Sequence, residues 1–501
     1  MHTDHHNDVI ALVDAHGKNW PQKFVSGADF YMQPTWSPDG RKFAWVAWDH
    51  PQMPWDGARI EIAEVYKTQD GRLALKPSEV IAGDETTSVQ QPVFSPNGTK
   101  LAYTSDASGF IQIHVRDLLT GEDHVISDGG ADHATPAWIQ GRRTIAWTPD
   151  GQRLLALRFE AGRASLRSYT LGGQVQHFEH LSEYGMLEQL SVNAAGQVAL
   201  IVSDSTIPAR IVRIDDLEDQ HSARICKRAS SERLPQEALA AMQPVSWQAD
   251  DGTQVFGNYY APTNPNVEGM GLPPLLVMIH GGPTSQSTAT YNARSQFFAT
   301  RGFAVLEVNY RGSTGYGRKY MDALKGQWGI LDVEDAIGGA QHLVDEGLVD
   351  KDKLVIMGGS AGGYTVFQAL TDHPGFFAAG ISMYGITNLF SLTASTHKFE
   401  SRYNDSLLGV LPEDAQLFKD RSPFFKSEKL RDPIAIFQGA KDVVVPKDQA
   451  DVMVEKLRAQ KVPHVYHVYE NEGHGWRSAE TIEHFYQAVL DFLTNTIIYA
   501  A

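Results

Sequence analysis

A turn sequence recurs four times in the first two hundred residues, and it restricts the fold of this stretch more than any other feature. Pro34-Thr-Trp-Ser-Pro-Asp-Gly40-Arg-Lys-Phe-Ala-Trp45 returns as Pro92-Val-Phe-Ser-Pro-Asn-Gly98-Thr-Lys-Leu-Ala-Tyr103 and as Ala146-Trp-Thr-Pro-Asp-Gly151-Gln-Arg-Leu-Leu-Ala156. A degraded copy is Ser191-Val-Asn-Ala-Ala-Gly196-Gln-Val-Ala-Leu200, and the four glycines are 58, 53 and 45 residues apart. In each copy Pro-Asp-Gly or its relative bends the chain between two short apolar strands. Further short strands follow, as at Ile60-Glu-Ile-Ala-Glu-Val65 and Ile111-Gln-Ile-His-Val115. About four strands per repeat of this length is the period of a β-propeller blade. The stretch has room for about four to five blades, the start from Asp8 to Gly27 supplying at most part of one.

The period changes near residue 240. Apolar runs at Leu275–Ile279, Phe303–Val308, Leu354–Met357, Ala378–Ser382 and Ile434–Phe437 alternate with helical patterns at Val333–Glu346, Gln449–Ala459 and Ile482–Leu493. Such alternation predicts a mostly parallel sheet with helices on both faces, and ligands beyond the carboxyl ends of its strands. At 501 residues the chain is too long for one core. We expect an all-β propeller domain over residues 1–235, shortened at its N-terminus, and an α/β-hydrolase domain over residues 236–501.

The chemistry follows the strands. Leu354-Val-Ile-Met357 runs into Gly358-Gly-Ser360-Ala-Gly362-Gly-Tyr364 and then a helical stretch, which is Gly-x-Ser-x-Gly between a strand and a helix. Asp442 follows the strand Ile434–Phe437, and His474 follows the strand Val465–Tyr469, flanked by Gly473 and Gly475. Ser, Asp and His in that order, the acid and the base each just past a strand, give the α/β-hydrolase order of a catalytic triad. His474 would take the proton of Ser360, and Asp442 would hold the tautomer and stabilise the imidazolium. The loop His280-Gly-Gly282-Pro283 follows an earlier strand, so the N–H of Gly282 and that of Ala361 are the candidate oxyanion donors. His280 itself reads as a structural loop residue. Tyr364, Tyr384 and Leu389 are candidate walls for a substrate pocket. Val443-Val-Val445 and Met278 read as core.

Composition removes other classes. Forty-three basic against sixty acidic residues leave a net charge of −17, spread over both halves, which disfavours nucleic acid or an anionic membrane as partner. Cys226 is the single cysteine, so there is no intrachain disulfide and no cysteine metal cluster. Nothing approaches the roughly 20 apolar residues of a membrane span. A cytoplasmic location is expected, with no cofactor, no metal and a homo-oligomer left open. The cluster His2-x-x-His5-His6 is a weak metal candidate beside the expectation of a free terminus.

His280-Gly-Gly-Pro283, Asn309-Tyr-Arg-Gly-Ser-Thr-Gly-Tyr-Gly-Arg318, Gly326-Gln-Trp-Gly329 with Asp332-Val-Glu-Asp335, and Gly358-Gly-Ser-Ala-Gly-Gly-Tyr364 together resemble the prolyl oligopeptidase family. Asp29-Phe-Tyr31 to Met53-Pro-Trp-Asp-Gly57 is similar to its bacterial acylaminoacyl-peptidase and aminopeptidase-like branch. The resemblance implies a serine peptidase whose propeller caps the active site and admits short peptides, releasing N-terminal aminoacyl or acylaminoacyl residues. Three departures stand out. The propeller stretch is shorter than the family's. Ala361 stands where the family commonly has Tyr, and Val444 where many relatives carry a substrate-anchoring Arg. The chain also has no Glu-Glu pair of the kind dipeptidyl peptidases use for the substrate amine. Two rival readings are a carboxylesterase or lipase, which needs the triad but not the repeats, and a catalytically silent scaffold, which needs the repeats but not the triad.

Overall fold

The computed structural model describes residues 8–231 and 234–499. The His2, His5 and His6 cluster lies outside the described residues. Contacts divide the chain into two units, one running to Ser231 and taking in Thr314–Lys319, the other holding the remainder.

The first unit is a succession of antiparallel sheets, each built from consecutive strands. The strands within Phe30–Asp84 form a five-stranded sheet; Val89–Val125, Ile145–His177 and Met186–Arg228 each supply a four-stranded one. Ile10–Leu12 pairs with Gln22–Val25 in a separate two-stranded sheet. The repeated turns share one chemistry. Gly40, Gly98, Gly151 and Gly196 all have positive φ, at 69°, 71°, 68° and 83°, where a side chain is strained. Each of their N–H groups donates three residues back, to Ser37, Ser95, Thr148 and Asn193. Asp39, Asn97 and Asp150 accept the N–H two residues on, at Arg41, Thr99 and Gln152, and in the degraded copy Asn193 takes over that task for Ala195.

Apolar residues from neighbouring sheets fill the space between them. Ala102 and Ile113 pack with Leu154, Ala156 and Tyr169, and the opposite face of that sheet, Leu155 and Leu157, packs with Leu200 and Val202. A polar chain adds to this. Gln33 Oε1 accepts the N–H of Gln91 at 2.5 Å, and the Gln91 amide pairs twice with Thr144, through Thr144 N at 2.6 Å and Oγ1 at 2.8 Å. Gln33, Gln91 and Gln189 lie seven residues before the turn glycines Gly40, Gly98 and Gly196, and all three have positive φ beside a break in strand register. Nothing in the sequence reading singled them out.

The second unit carries one eight-stranded sheet. Its strands are β1 (Met242–Gln248), β2 (Gln254–Tyr260), β3 (Leu275–Ile279), β4 (Ala304–Asn309), β5 (Leu354–Gly359), β6 (Ala379–Met383), β7 (Ile434–Gly439) and β8 (His464–Tyr469). Their spatial order is β1-β2-β4-β3-β5-β6-β7-β8, antiparallel as far as β4 and parallel from there. All residues of β3, β4, β6 and β7 are buried, as expected of parallel strands covered on both faces. The chief helices are α1 (Ala293–Ala299), α2 (Leu331–Asp345), α3 (Ala361–Asp372), α4 (Asp448–Gln460) and α5 (Ala479–Leu493). Helix α5 is capped by Ser478, whose hydroxyl accepts the N–H of Thr481. It buries Phe485, Val489, Phe492 and Leu493, one stripe at helical spacing, in a core shared with Leu276, Met278, Val355, Met357 and Phe437. No helix among the described residues is long and apolar enough to cross a membrane.

The valine run departs from expectation. Val445 and Met278 are core, at 1% and 7% exposure, but Val443 is 77% exposed and Val444 is half-buried. The carboxylate of Asp442 explains this: it turns the chain by accepting the N–H groups of Val444 and Val445, which leaves Val443 at the outside of the bend.

Candidate active site

Strand β5 ends in a bend that only small neighbours permit. Ser360 has φ 56° and ψ −123°, a left-handed conformation rare for a residue with a side chain, and α3 begins at the next residue. A Cβ on Gly358 would overlap the backbone of Gly362, and one on Gly362 would overlap the carbonyl oxygen of Ile279. The bend is tied down by the Ser360 N–H, which donates to the Met383 carbonyl at 3.0 Å. The glycine loop after β3 comes close to it: a Cβ on Gly281 would lie 3.4 Å from that of Ser360.

The acid and the base meet at the ends of β7 and β8. His474 Nδ1 is 2.8 Å from Asp442 Oδ2, with the Asp442 side chain fully buried and that of His474 one quarter exposed. The other carboxylate oxygen accepts the N–H groups of Val444 and Val445, each at 2.9 Å. Gly439 lets the two loops approach, since a Cβ there would overlap the carbonyls of Glu472 and Gly473. Glu472, buried, accepts the N–H groups of Ser478 at 2.9 Å and Arg477 at 3.0 Å and so shapes the loop that carries His474. The sequence reading missed Gly439 and Glu472.

Tyr384 joins the two halves. Its ring packs 4.5 Å from that of His474, and a Cβ on Gly359 would sit 2.9 Å from it. The pocket containing Ser360, Ala361 and Gly282 is walled by Trp328, Ile386, Leu392, Tyr403, Val444 and Val445, with Thr396, Glu400 and Asn404 as polar members. Two of the expected wall residues are therefore corrected. Tyr364 is fully buried behind the bend, its ring tilted against that of Trp328, with its hydroxyl donating to the Arg421 carbonyl at 2.9 Å. Leu389 is fully buried at the start of a short helix, its N–H donating to Ser422 Oγ. Both point into the core because α3 and the segment after β6 bury their apolar faces. Tyr384, the third expected wall residue, lies against the His474 ring.

Supporting groups surround the site. His280 stacks on Tyr310 at 4.4 Å and bonds Ser313 Oγ through Nε2 at 2.8 Å, and burial pushes its pKa down to about 4, so it is neutral and structural. Tyr403 OH accepts the Thr284 N–H at 3.1 Å, tying the glycine loop to the pocket wall. Asp332 on α2 accepts the Gly329 N–H at 2.6 Å and the Thr365 hydroxyl of α3 at 2.5 Å. Burial raises its pKa to about 6. Arg311 grips Asp335 through its backbone N–H at 2.6 Å and its guanidinium at 2.7–3.1 Å. Among the described residues no group of three or more His, Cys, Asp or Glu side chains is arranged to hold a metal ion.

Residues 289–498 match the model of the prolyl oligopeptidase family. The structure superposes on a puromycin-hydrolyzing peptidase of Mycobacterium tuberculosis with a TM-score of 0.89 and 34% identity, covering 97% of this chain and 72% of that one. It superposes on a puromycin hydrolase with a TM-score of 0.88 and 31% identity, covering 95% and 71%. The dipeptidyl aminopeptidase BIII of Pseudoxanthomonas mexicana is 33% identical over 229 residues, which is 45% of this chain and 33% of that protein's length. The chain thus matches about a third of that curated relative.

Proposed function

Since the chain belongs to the prolyl oligopeptidase family, we propose that it is a serine peptidase that hydrolyses short peptides and releases residues from their N-terminus, with Ser360, Asp442 and His474 as its triad. The observation that carries this reading is the 2.8 Å pair of His474 and Asp442, joined through the Tyr384 ring to the strained bend at Ser360.

The reaction follows from these positions. His474 Nε2 accepts the proton of Ser360 as Oγ attacks the scissile carbonyl carbon. Asp442, itself fixed by two backbone N–H groups, keeps the other ring proton on Nδ1 and stabilises the imidazolium. The carbonyl oxygen becomes an oxyanion and is received by the N–H groups of Ala361, at the first turn of α3, and Gly282. The imidazolium then protonates the leaving amine, and water resolves the acyl-enzyme by the same steps in reverse roles. The apolar walls Trp328, Ile386 and Leu392 favour an apolar or aromatic side chain beside the cleaved bond.

We read the successive sheets of the first unit as blades of a short propeller, supported by their shared turn chemistry and by the apolar packing between neighbours. A cytoplasmic enzyme is consistent with one cysteine, Cys226, which is exposed and free. The test is hydrolysis of short peptides by purified wild type and Ser360→Ala at matched folding. Loss of all but roughly a thousandth of the activity supports the reading. A variant that keeps more than a few per cent contradicts it.

A further inference from the structure

Among the described residues, Glu400 is the one carboxylate in the wall of the Ser360 pocket. It sits in a short helical turn, Lys398–Glu400, on the segment after β6, and its side chain is 23% exposed. Its partners are the Thr396 hydroxyl, which donates to Oε2 at 3.4 Å, and the His397 ring, with Nε2 3.8 Å from Oε1. No lysine or arginine pairs with it among the described residues. A half-buried carboxylate with only imidazoles nearby, and no permanently charged partner among the described residues, can take a cation from the ligand.

We propose, on the reading of this site as a serine peptidase, that Glu400 binds the free α-ammonium of the substrate's first residue and makes the enzyme an aminopeptidase rather than an acylaminoacyl peptidase. Two features favour the α-ammonium over a cationic side chain. Glu400 shares the pocket with Ser360, Ala361 and Gly282, where the scissile carbonyl sits, and the α-ammonium is one carbon from that carbonyl. Burial raises the Glu400 pKa and the charge of His474 opposes the rise, so the carboxylate lies within the field of the base that serves the reaction. A lysine ammonium would lie four methylenes further out. Trp328, Ile386, Leu392, Val444 and Val445 make most of the remaining wall apolar, and Thr396, Tyr403 and Asn404 add only uncharged polar groups, which suits an uncharged side chain. The chain thereby has an amine-reading acid in its catalytic unit although it lacks a Glu-Glu pair.

The experiment measures kcat/KM on phenylalanine p-nitroanilide, its N-acetyl form and lysine p-nitroanilide, for wild type, Glu400→Gln and Glu400→Asp. The wild type is expected to prefer the free amine over the N-acetyl substrate at least tenfold. Glu400→Gln should lower that preference about tenfold or more, and Glu400→Asp should restore part of it. Independently of any variant, phenylalaninamide should inhibit the wild type at least tenfold better than N-acetylphenylalaninamide. An unchanged preference in Glu400→Gln, or equal inhibition by the two amides, overturns the assignment while leaving the peptidase intact. A loss confined to the lysine substrate overturns it in favour of side-chain recognition. Wild type that cleaves none of the three overturns the peptidase reading itself, and the assignment with it.

Discussion

Asp442 and His474 are 32 residues apart in sequence, yet their side chains meet at 2.8 Å, and the carboxylate is oriented before the imidazole reaches it. Oδ1 is claimed by the N–H groups of Val444 and Val445, so only Oδ2 faces Nδ1. The orientation makes the pair sensitive to an isosteric change.

In Asp442→Asn the amide oxygen should take the place of Oδ1, where two backbone N–H groups require an acceptor. The NH2 group then faces His474 Nδ1 and drives the ring proton to Nε2, where it blocks proton uptake from Ser360. Turnover should fall by roughly 10³- to 10⁴-fold, with the thermal midpoint little changed. Steady-state kinetics beside a thermal melt distinguishes this from unfolding.

Gly362→Ala should damage both the fold and the chemistry. The added methyl would overlap the Ile279 carbonyl oxygen, so either β3 or the first turn of α3 must shift. We expect a loss of about 2 kcal/mol or more in stability, with activity falling further than stability accounts for. Denaturant unfolding and kcat together check this; a well-folded, fully active variant would count against the bend as described.

Asp332 gives the second unit a pH-dependent contribution. Its folded pKa of about 6 lies above the 3.8 of an ordinary aspartate, so the folded state holds the proton more tightly than the unfolded chain. The contribution is fully present below about pH 4 and is lost as pH rises through about 6, amounting to about 3 kcal/mol at most. Asp332→Asn keeps an oxygen for the Gly329 N–H without the ionisation. The stability difference between variant and wild type should therefore move in the variant's favour between pH 4 and 7 in urea unfolding.

Gln91→Ala should destabilise the first unit. The buried Thr144 N–H would lose its acceptor and Oγ1 its donor. A cost of about 2–4 kcal/mol is expected. Unfolding followed by tryptophan fluorescence measures it, and a change under half a kcal/mol would show that water replaces the amide without loss.

These residues also show what the sequence carries. The turns at Gly40, Gly98 and Gly151 were legible because Pro-Asp-Gly or Pro-Asn-Gly dictates the bend locally, and the strand–Gly-x-Ser-x-Gly–helix order was legible for the same reason. Gln33, Gln91 and Gln189 were not, because glutamine has no local preference for positive φ; the neighbouring sheet imposes it. The pocket walls were misassigned because Leu392, Thr396, Glu400 and Tyr403 lie on a run of short helices and their connections after β6, each too short to show a sustained period. Tyr364 and Leu389 were closer to the motif in sequence, but helix and core packing turned them away. Trp328 stood in a quoted motif, yet nothing local placed it against Ser360.

The central claim is that Ser360 is a nucleophile activated by His474. The most direct measurement is peptide mapping by mass spectrometry after brief exposure to a fluorophosphonate, which phosphonylates activated serines and releases fluoride. The adduct should fall on Ser360 in the wild type, be absent from Ser360→Ala, and form far more slowly in His474→Ala. Labelling at another serine, or undiminished labelling of Ser360 in His474→Ala, would contradict the account.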